Sequence, residues 1–137
     1  MNKKGFTLTE LLGIMVILAI LALIAVPLIS RHIRTSREES AKRSADGIYR
    51  AAINFYTNEV AEHGFFEEDL HRGPISEIAN KLELEKGVTI STNSGNIVID
   101  RFGEVQVFYI VHRMCVKMSS DMDTPEIFED IKDCDIE

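Results

Sequence analysis

Glu10 is the residue whose surroundings most demand a chemical explanation. It is the one acid in residues 5–27, GFTLTELLGIMVILAILALIAVP, and no charged residue follows it until Arg31. A carboxylate there faces an apolar medium. Such a charge is costly there and is either kept in water by snorkelling to the membrane edge or met by an opposite charge. That chemistry is charge pairing, not bond breaking. Nothing else in the chain has the spacing of a catalytic centre. No Ser-His-Asp arrangement, phosphate loop or paired-carboxylate motif is present. His32, His63, His71 and His112 are scattered, and Glu67, Glu68, Asp69 and His71 read as a charged loop. The expectation is a protein without catalytic residues, metal or cofactor.

The element that positions Glu10 is a helix. The roughly twenty uncharged residues after it span about 30 Å at 1.5 Å per residue, the hydrocarbon thickness of a bilayer. Gly13 and Pro27 are poor in a soluble helix interior but tolerated in membrane helices. A secretory signal fits badly, because its apolar core would be shorter and would precede its small cleavage residue. Here the small residue, Gly5, comes first and directly follows Lys3 and Lys4. That order predicts cutting on the near side of the membrane, with the apolar helix retained.

Lys4-Gly5-Phe6-Thr7-Leu8-Thr9-Glu10-Leu11-Leu12, with the apolar helix and Pro27, resembles the type IV pilins, the pseudopilins of type II secretion and the competence pilins. The resemblance covers about a third of the chain. Thr9 departs from the more usual apolar residue before the acid. The resemblance implies that a prepilin peptidase cuts between Gly5 and Phe6 and methylates the new Phe6 amine. It also implies that Glu10 pairs with the Phe6 amine of a neighbouring subunit, and that the helix between Gly13 and Pro27 partly unwinds in the filament. The implied function is a structural subunit of a type IV pilus or pilus-like filament. The alternative is a pseudopilin, minor pilin or competence pilin of a secretion or DNA-uptake machine. Implied partners are further copies, other pilin-like subunits, the peptidase, a membrane assembly platform and the bilayer. The chain would be a single-pass protein of the bacterial inner membrane, then part of a filament at the surface or in a periplasm-like space. A non-polymerising anchored binding domain is the reading from a different class.

Charge and length bound the remainder. The 137 residues carry a formal charge of −7, and loss of Lys3 and Lys4 takes the side chains to −9. An acidic chain is no general nucleic-acid binder, which needs a basic surface to displace counterions; DNA would need a local basic strip. Arg31, His32, Arg34, Arg37, Lys42 and Arg43 form such a cluster and read as a collar near lipid headgroups. By count alone, these basic residues favour a cytoplasmic location for the residues after the span. The leader signature demands the opposite, because Gly5 must face the peptidase.

Apolar and small residues at Ala41, Ala45, Ile48, Ala52 and Phe55, flanked by Tyr49, Ile53, Tyr56 and Val60, make a broad helical stripe. One helix is therefore expected over residues 6–63, ended by Gly64. Residues 65–86 connect onward, with Gly73-Pro74 opening a helical turn that carries Ile75, Ile78, Ala79 and Leu82. Strands are expected at 88–91 and 96–99, then along 105–118, with turns at Asn93-Ser94-Gly95 and Arg101-Phe102-Gly103. Thr124-Pro125-Glu126 reads as a helix start. The expected fold is α+β: residues 1–5 a leader, 6–30 a transmembrane and filament-core helix, and 31–137 an extracytoplasmic domain. In it the second half of the long helix packs on an antiparallel sheet of three or four strands.

In an exported domain an even cysteine count predicts a disulfide, Cys115 to Cys134, with two reduced thiols as the alternative. Residues 121–137 hold eight carboxylates and one lysine. They read as a solvated tail. Calcium is the other reading, weakened by Pro125 and by Lys132, which stands where a calcium loop needs its bidentate Glu.

Processing can be checked directly. Gly5→Arg should leave the chain uncut, because the peptidase must fit a small residue there. Intact mass should then include residues 1–5, and a Gly5→Arg chain still shortened by five residues would contradict the reading.

Overall fold

The computed structural model describes residues 5–134. A 56-residue helix, α1 (Leu8–His63), opens the chain. Gly64, at φ +84°, ends it, its N–H bonding to the Val60 carbonyl at 2.9 Å. A left-handed residue after the last turn is the usual way to stop a helix, and glycine adopts it without steric penalty. The chain divides into two compact units, with the boundary between Ser36 and Arg37. In the first unit every described residue is exposed.

The second unit is α+β. After α1 come β1 (His71–Pro74), the single turn α2 (Ile75–Ile78), β2 (Gly95–Ile99), β3 (Val105–Val111), β4 (Met114–Ser119), β5 (Glu126–Phe128) and a 3₁₀ turn, Ile131–Cys134. The five strands form one antiparallel sheet in the order β1-β2-β3-β4-β5. Period-two alternation sorts its faces. Ile97, Ile99, Val105, Val107, Tyr109, Val116 and Met118 share a core with Ala41, Ala45, Ile48, Ala51 and Ala52 of α1. The alanine-rich helix face lets the backbone approach the sheet, while the branched strand residues fill the space. Tyr109 brings the one polar tip, and its hydroxyl donates to the Thr89 carbonyl at 3.2 Å. Burial pushes that phenol above the ordinary tyrosine range.

On the opposite face Phe108 and Ile110 meet Cys115, Cys134 and Phe128 in a second, smaller cluster. Cys115 and Cys134 are bridged, with Cα atoms 5.7 Å apart. The bridge holds the 3₁₀ turn against β3 and β4, and the Asn96 amide donates to the Cys134 carbonyl at 3.4 Å. Lys117 sits over the Phe108 ring, 5.5 Å from its centre.

Four sequence expectations need correction. Residues 88–91 are not a strand. Val88 and Ile90 do alternate onto the core, but the place beside β2 is taken by β1, in what had been read as a connector. Pro74, which cannot donate a ladder hydrogen bond, is its last residue, and the strand lies at the sheet edge, where proline is tolerated. Residues 105–118 form two strands, and with β1 and β5 the sheet has five where three or four were expected. His112 and Arg113 turn the chain at φ 50° and 65°, a two-residue hairpin without the glycine or asparagine that usually marks one. Finally, Thr124-Pro125-Glu126 starts β5 rather than a helix. Pairing of Cys115 with Phe128 and Val116 with Ile127 carries the segment along β4, and the nearby disulfide closes it there.

Gly95 shows how tightly β2 and β3 are drawn. At φ +100°, a Cβ there would lie 1.8 Å from the Phe108 carbonyl oxygen. Only glycine lets the ladder begin at that point.

The disulfide closes a loop of about twenty residues, for which the chain-entropy account gives roughly 3 kcal/mol. Cys115→Ser should destabilise the second unit by about 2–4 kcal/mol, and residues 119–134 should become the earliest site of proteolysis. Denaturant melts and limited digestion check this. An unchanged midpoint and cleavage pattern would contradict it.

Candidate assembly site on the N-terminal helix

The site is built where α1 begins. Gly5, Phe6 and Thr7 precede the helix, and Phe6 is 77% exposed. The first turn has orphan N–H groups that need acceptors. Thr7 and Glu10 supply them to each other. The Thr7 hydroxyl accepts from the Glu10 N–H at 3.3 Å. The Glu10 carboxylate accepts from the Thr7 N–H at 2.9 Å and from the Thr7 hydroxyl at 2.8 Å. This is a capping box, the Thr-x-x-Glu arrangement at a helix start. Thr7 went unnoticed in the sequence reading although its three-residue spacing from Glu10 was the available signal. The acid expected to pair with an amine is thus already held at the helix tip, one carboxylate oxygen taking both bonds.

Beyond Glu10 the helix is apolar and bare. Leu11, Leu12, Met15, Leu18, Leu21, Leu23, Ile24, Leu28 and Ile29 are all exposed. The run is long and apolar enough to cross a membrane. Gly13 and Pro27 both lie within continuous helix, so the unwinding expected of the filament is not present in the single chain. Pro27 withdraws one N–H from the helical ladder, leaving the Leu23 carbonyl without its usual donor. One turn on, the Ser30 hydroxyl donates to the Val26 carbonyl at 3.0 Å. A Cβ at Gly13 would meet nothing within 4 Å, so packing within the chain does not require a glycine there.

The basic residues that follow are exposed along α1. Arg43 pairs with Glu39 at 3.8 Å and Arg50 with Asp46 at 2.9 Å. Exposed pairs of this kind contribute under about 1 kcal/mol. At the other end of the chain, the Ser119 hydroxyl donates to the Asp121 carboxylate, holding that carboxyl below its usual range, with the Lys117 charge a lesser cause. Asp121 and Asp123 do not meet a third ligand: among the described residues no group of three or more His, Cys, Asp or Glu side chains is placed to hold a metal ion.

The apolar helix with its capped acid stands beside one family finding. Residues 1–26 match the prokaryotic N-terminal methylation motif. No curated protein matches the chain, and no solved structure does. Such a helix with such a motif fits a membrane-anchored precursor. With a long apolar helix followed by a five-stranded antiparallel sheet, the fold is pilin-like, and the chain carries the N-terminal signature of type IV pilins and pseudopilins.

Proposed function

We propose that the chain is a structural subunit of a type IV pilus or pilus-like filament, cut between Gly5 and Phe6, methylated at Phe6 and assembled through residues 6–30. The observation that carries this is the apolar first half of α1, fully exposed in the single chain and headed by the methylation motif. In the stored precursor lipid covers that surface. In a filament the helices of other subunits cover it instead. Removal of Lys3 and Lys4 is required first, since two ammonium groups cannot enter an apolar bundle.

Glu10 supplies register. In the apolar bundle its carboxylate needs a cation, and the Phe6 amine of a neighbouring subunit is one. The free carboxylate oxygen, opposite the one held by Thr7, can accept that amine without breaking the cap. A subunit seated out of step leaves both charges bare, a penalty of several kcal/mol. Gly13, where a Cβ would meet no other side chain of its own chain, gives a neighbouring helix a place of close approach, and Pro27 weakens the ladder where the helix must bend or unwind. The same parts serve a pseudopilin or minor pilin, and the abundance of the chain in sheared fibres sorts the two.

Two variants test the assignment of Glu10. Glu10→Val makes the helix more apolar, so membrane accumulation should be unchanged while sheared fibre is largely lost. Thr7→Ala breaks the cap, weakening the helix start by about 1 kcal/mol, but keeps the carboxylate and should retain most of the fibre. Equal fibre from Glu10→Val and wild type would remove Glu10 from the mechanism. Equal loss in both variants would assign the effect to helix capping instead.

A further inference from the structure

Arg31 is a cation without a partner at the edge of an apolar face. Ile24, Pro27, Leu28 and Arg31 line an open groove of about 250 Å³ on α1. Their spacing, i, i+3, i+4 and i+7, places them on one side of the helix. Ile24 and Leu28 are well exposed, and the proline ring, which carries no N–H, adds an apolar wall beside them. The Arg31 carbonyl accepts from the Thr35 hydroxyl at 3.1 Å, but among the described residues its guanidinium has no partner.

The chain offers Arg31 no anion nearby. No acid lies between Leu11 and Arg37. The first one after the span, Glu38, is seven residues beyond Arg31, about 10 Å along the helix. Further on, acids stand one turn from their cations. Arg43 pairs with Glu39 and Arg50 with Asp46. Arg31, Arg34 and Arg37 instead come before any acid, so the positive charge is concentrated just after the apolar run.

Depth in the bilayer decides what can fill the groove. With residues 11–30 as the uncharged span, Arg31 stands at the headgroup level of the far leaflet. The hydrocarbon of one leaflet, about 15 Å, matches about ten helix residues, so Ile24, Pro27 and Leu28 lie within that leaflet. The fitting occupant is an amphiphile, apolar along these three residues and anionic at Arg31. A second copy at the same depth brings Arg31 to Arg31, and its Glu10 stands at the opposite face. A nucleic acid would meet the cations and leave the apolar groove empty. By count, the basic residues also oppose the orientation that the leader requires. Anionic headgroups on the far side attract those residues and hold the chain there.

We propose that the face formed by Ile24, Pro27, Leu28 and Arg31 seats one anionic phospholipid of the far leaflet. Its phosphate lies on the Arg31 guanidinium, whose planar fork suits a phosphate, and one acyl chain runs along Ile24, Pro27 and Leu28. Arg34 and Arg37 add positive charge that favours an anionic headgroup over a zwitterionic one. This rests on the membrane reading of residues 8–30 and not on filament formation. The lipid belongs to the stored chain, and helices that cover the same face in a filament displace it.

The test uses the full chain in phosphatidylcholine vesicles doped with spin-labelled phosphatidylglycerol or spin-labelled phosphatidylcholine. Flotation checks insertion, and a protease-resistant, disulfide-bonded second unit checks folding. The motionally restricted label should amount to one phosphatidylglycerol per chain, held about fivefold more tightly than phosphatidylcholine, the worth of one basic residue at an anionic surface. Arg31→Gln should remove the preference. Arg43→Gln removes the same charge from a residue already paired with Glu39 and should change nothing. Ile24→Ala with Leu28→Ala keeps the span apolar and the charge intact but makes the groove shallow, and should loosen phosphatidylglycerol severalfold. Equal restriction of the two lipids overturns the proposal. Equal loss in Arg31→Gln and Arg43→Gln overturns it in favour of diffuse charge. A preference untouched by the double alanine variant overturns it in favour of headgroup attraction without a seat. Unrestricted label, with Leu28→Cys chains crosslinking to one another, overturns it by giving the face to a second copy. A wild-type chain that does not float with the vesicles overturns the membrane reading together with the proposal.

Discussion

Burial of the apolar surface of α1 is the constraint on which the rest depends. Residues 8–30 present leucine, isoleucine, valine and methionine on every side of the helix, and at about 25 cal/mol per Å² such a surface is strongly driven out of water. Among the described residues of the first unit nothing covers it. A solvent of lipid or a bundle of like helices must do so, and each requires that the polar groups inside be satisfied. The helix meets that demand for its backbone by its own ladder and for its first turn by the Thr7–Glu10 box. What remains is one carboxylate charge. In the filament proposed above, an apolar helix uniform along its length would slide against its neighbours with little preference, and a single buried charge would give that indifferent surface a defined step.

The second half of the same helix solves a different problem. From Ala41 onward one face is small and buried and the other charged, so the helix changes from a rod that is apolar all round to an amphipathic one that completes a core. The sheet supplies the matching surface through β2, β3 and β4, and the disulfide draws the C-terminal segment onto the sheet's other face. The result is a small unit whose core needs both faces of one sheet. For a domain of about a hundred residues that is an economical use of apolar side chains, reinforced by a covalent tie.

Much of this could be read from residue types, for identifiable reasons. The helix was legible because its two signals, an uninterrupted apolar run and then a 4-3-4-3 stripe, are long, and because Gly64 stands at its end. Cys115 and Cys134 were legible as an even pair once residues 31–137 were read as extracytoplasmic. β2 was legible because Ser94-Gly95 and Arg101-Phe102-Gly103 bracket it. The failures have a common cause in tertiary context. β1 has only His71, Arg72, Gly73 and Pro74 to announce it, and its strand form comes from the open edge of β2. His112 and Arg113 turn the chain against their own preferences because Val111 and Met114 pair across them. Thr124 and Pro125 are sound helix-start residues overruled by β4 and the nearby disulfide. At the N-terminus, attention to the charge of Glu10 hid its hydrogen bonding, although Thr7 stood three residues away.

The central claim is that the Glu10 carboxylate meets the Phe6 amine of a neighbouring subunit within a bundle of apolar helices. A density map of the sheared fibre that resolves side chains in the helical core tests it most directly. The account predicts chains that begin at methylated Phe6, with that nitrogen within about 4 Å of a neighbour's Glu10 carboxylate, the reach of an ion pair. Fibres whose Glu10 faces lipid or water, with the Phe6 amine paired elsewhere or chains still beginning at Met1, would contradict it.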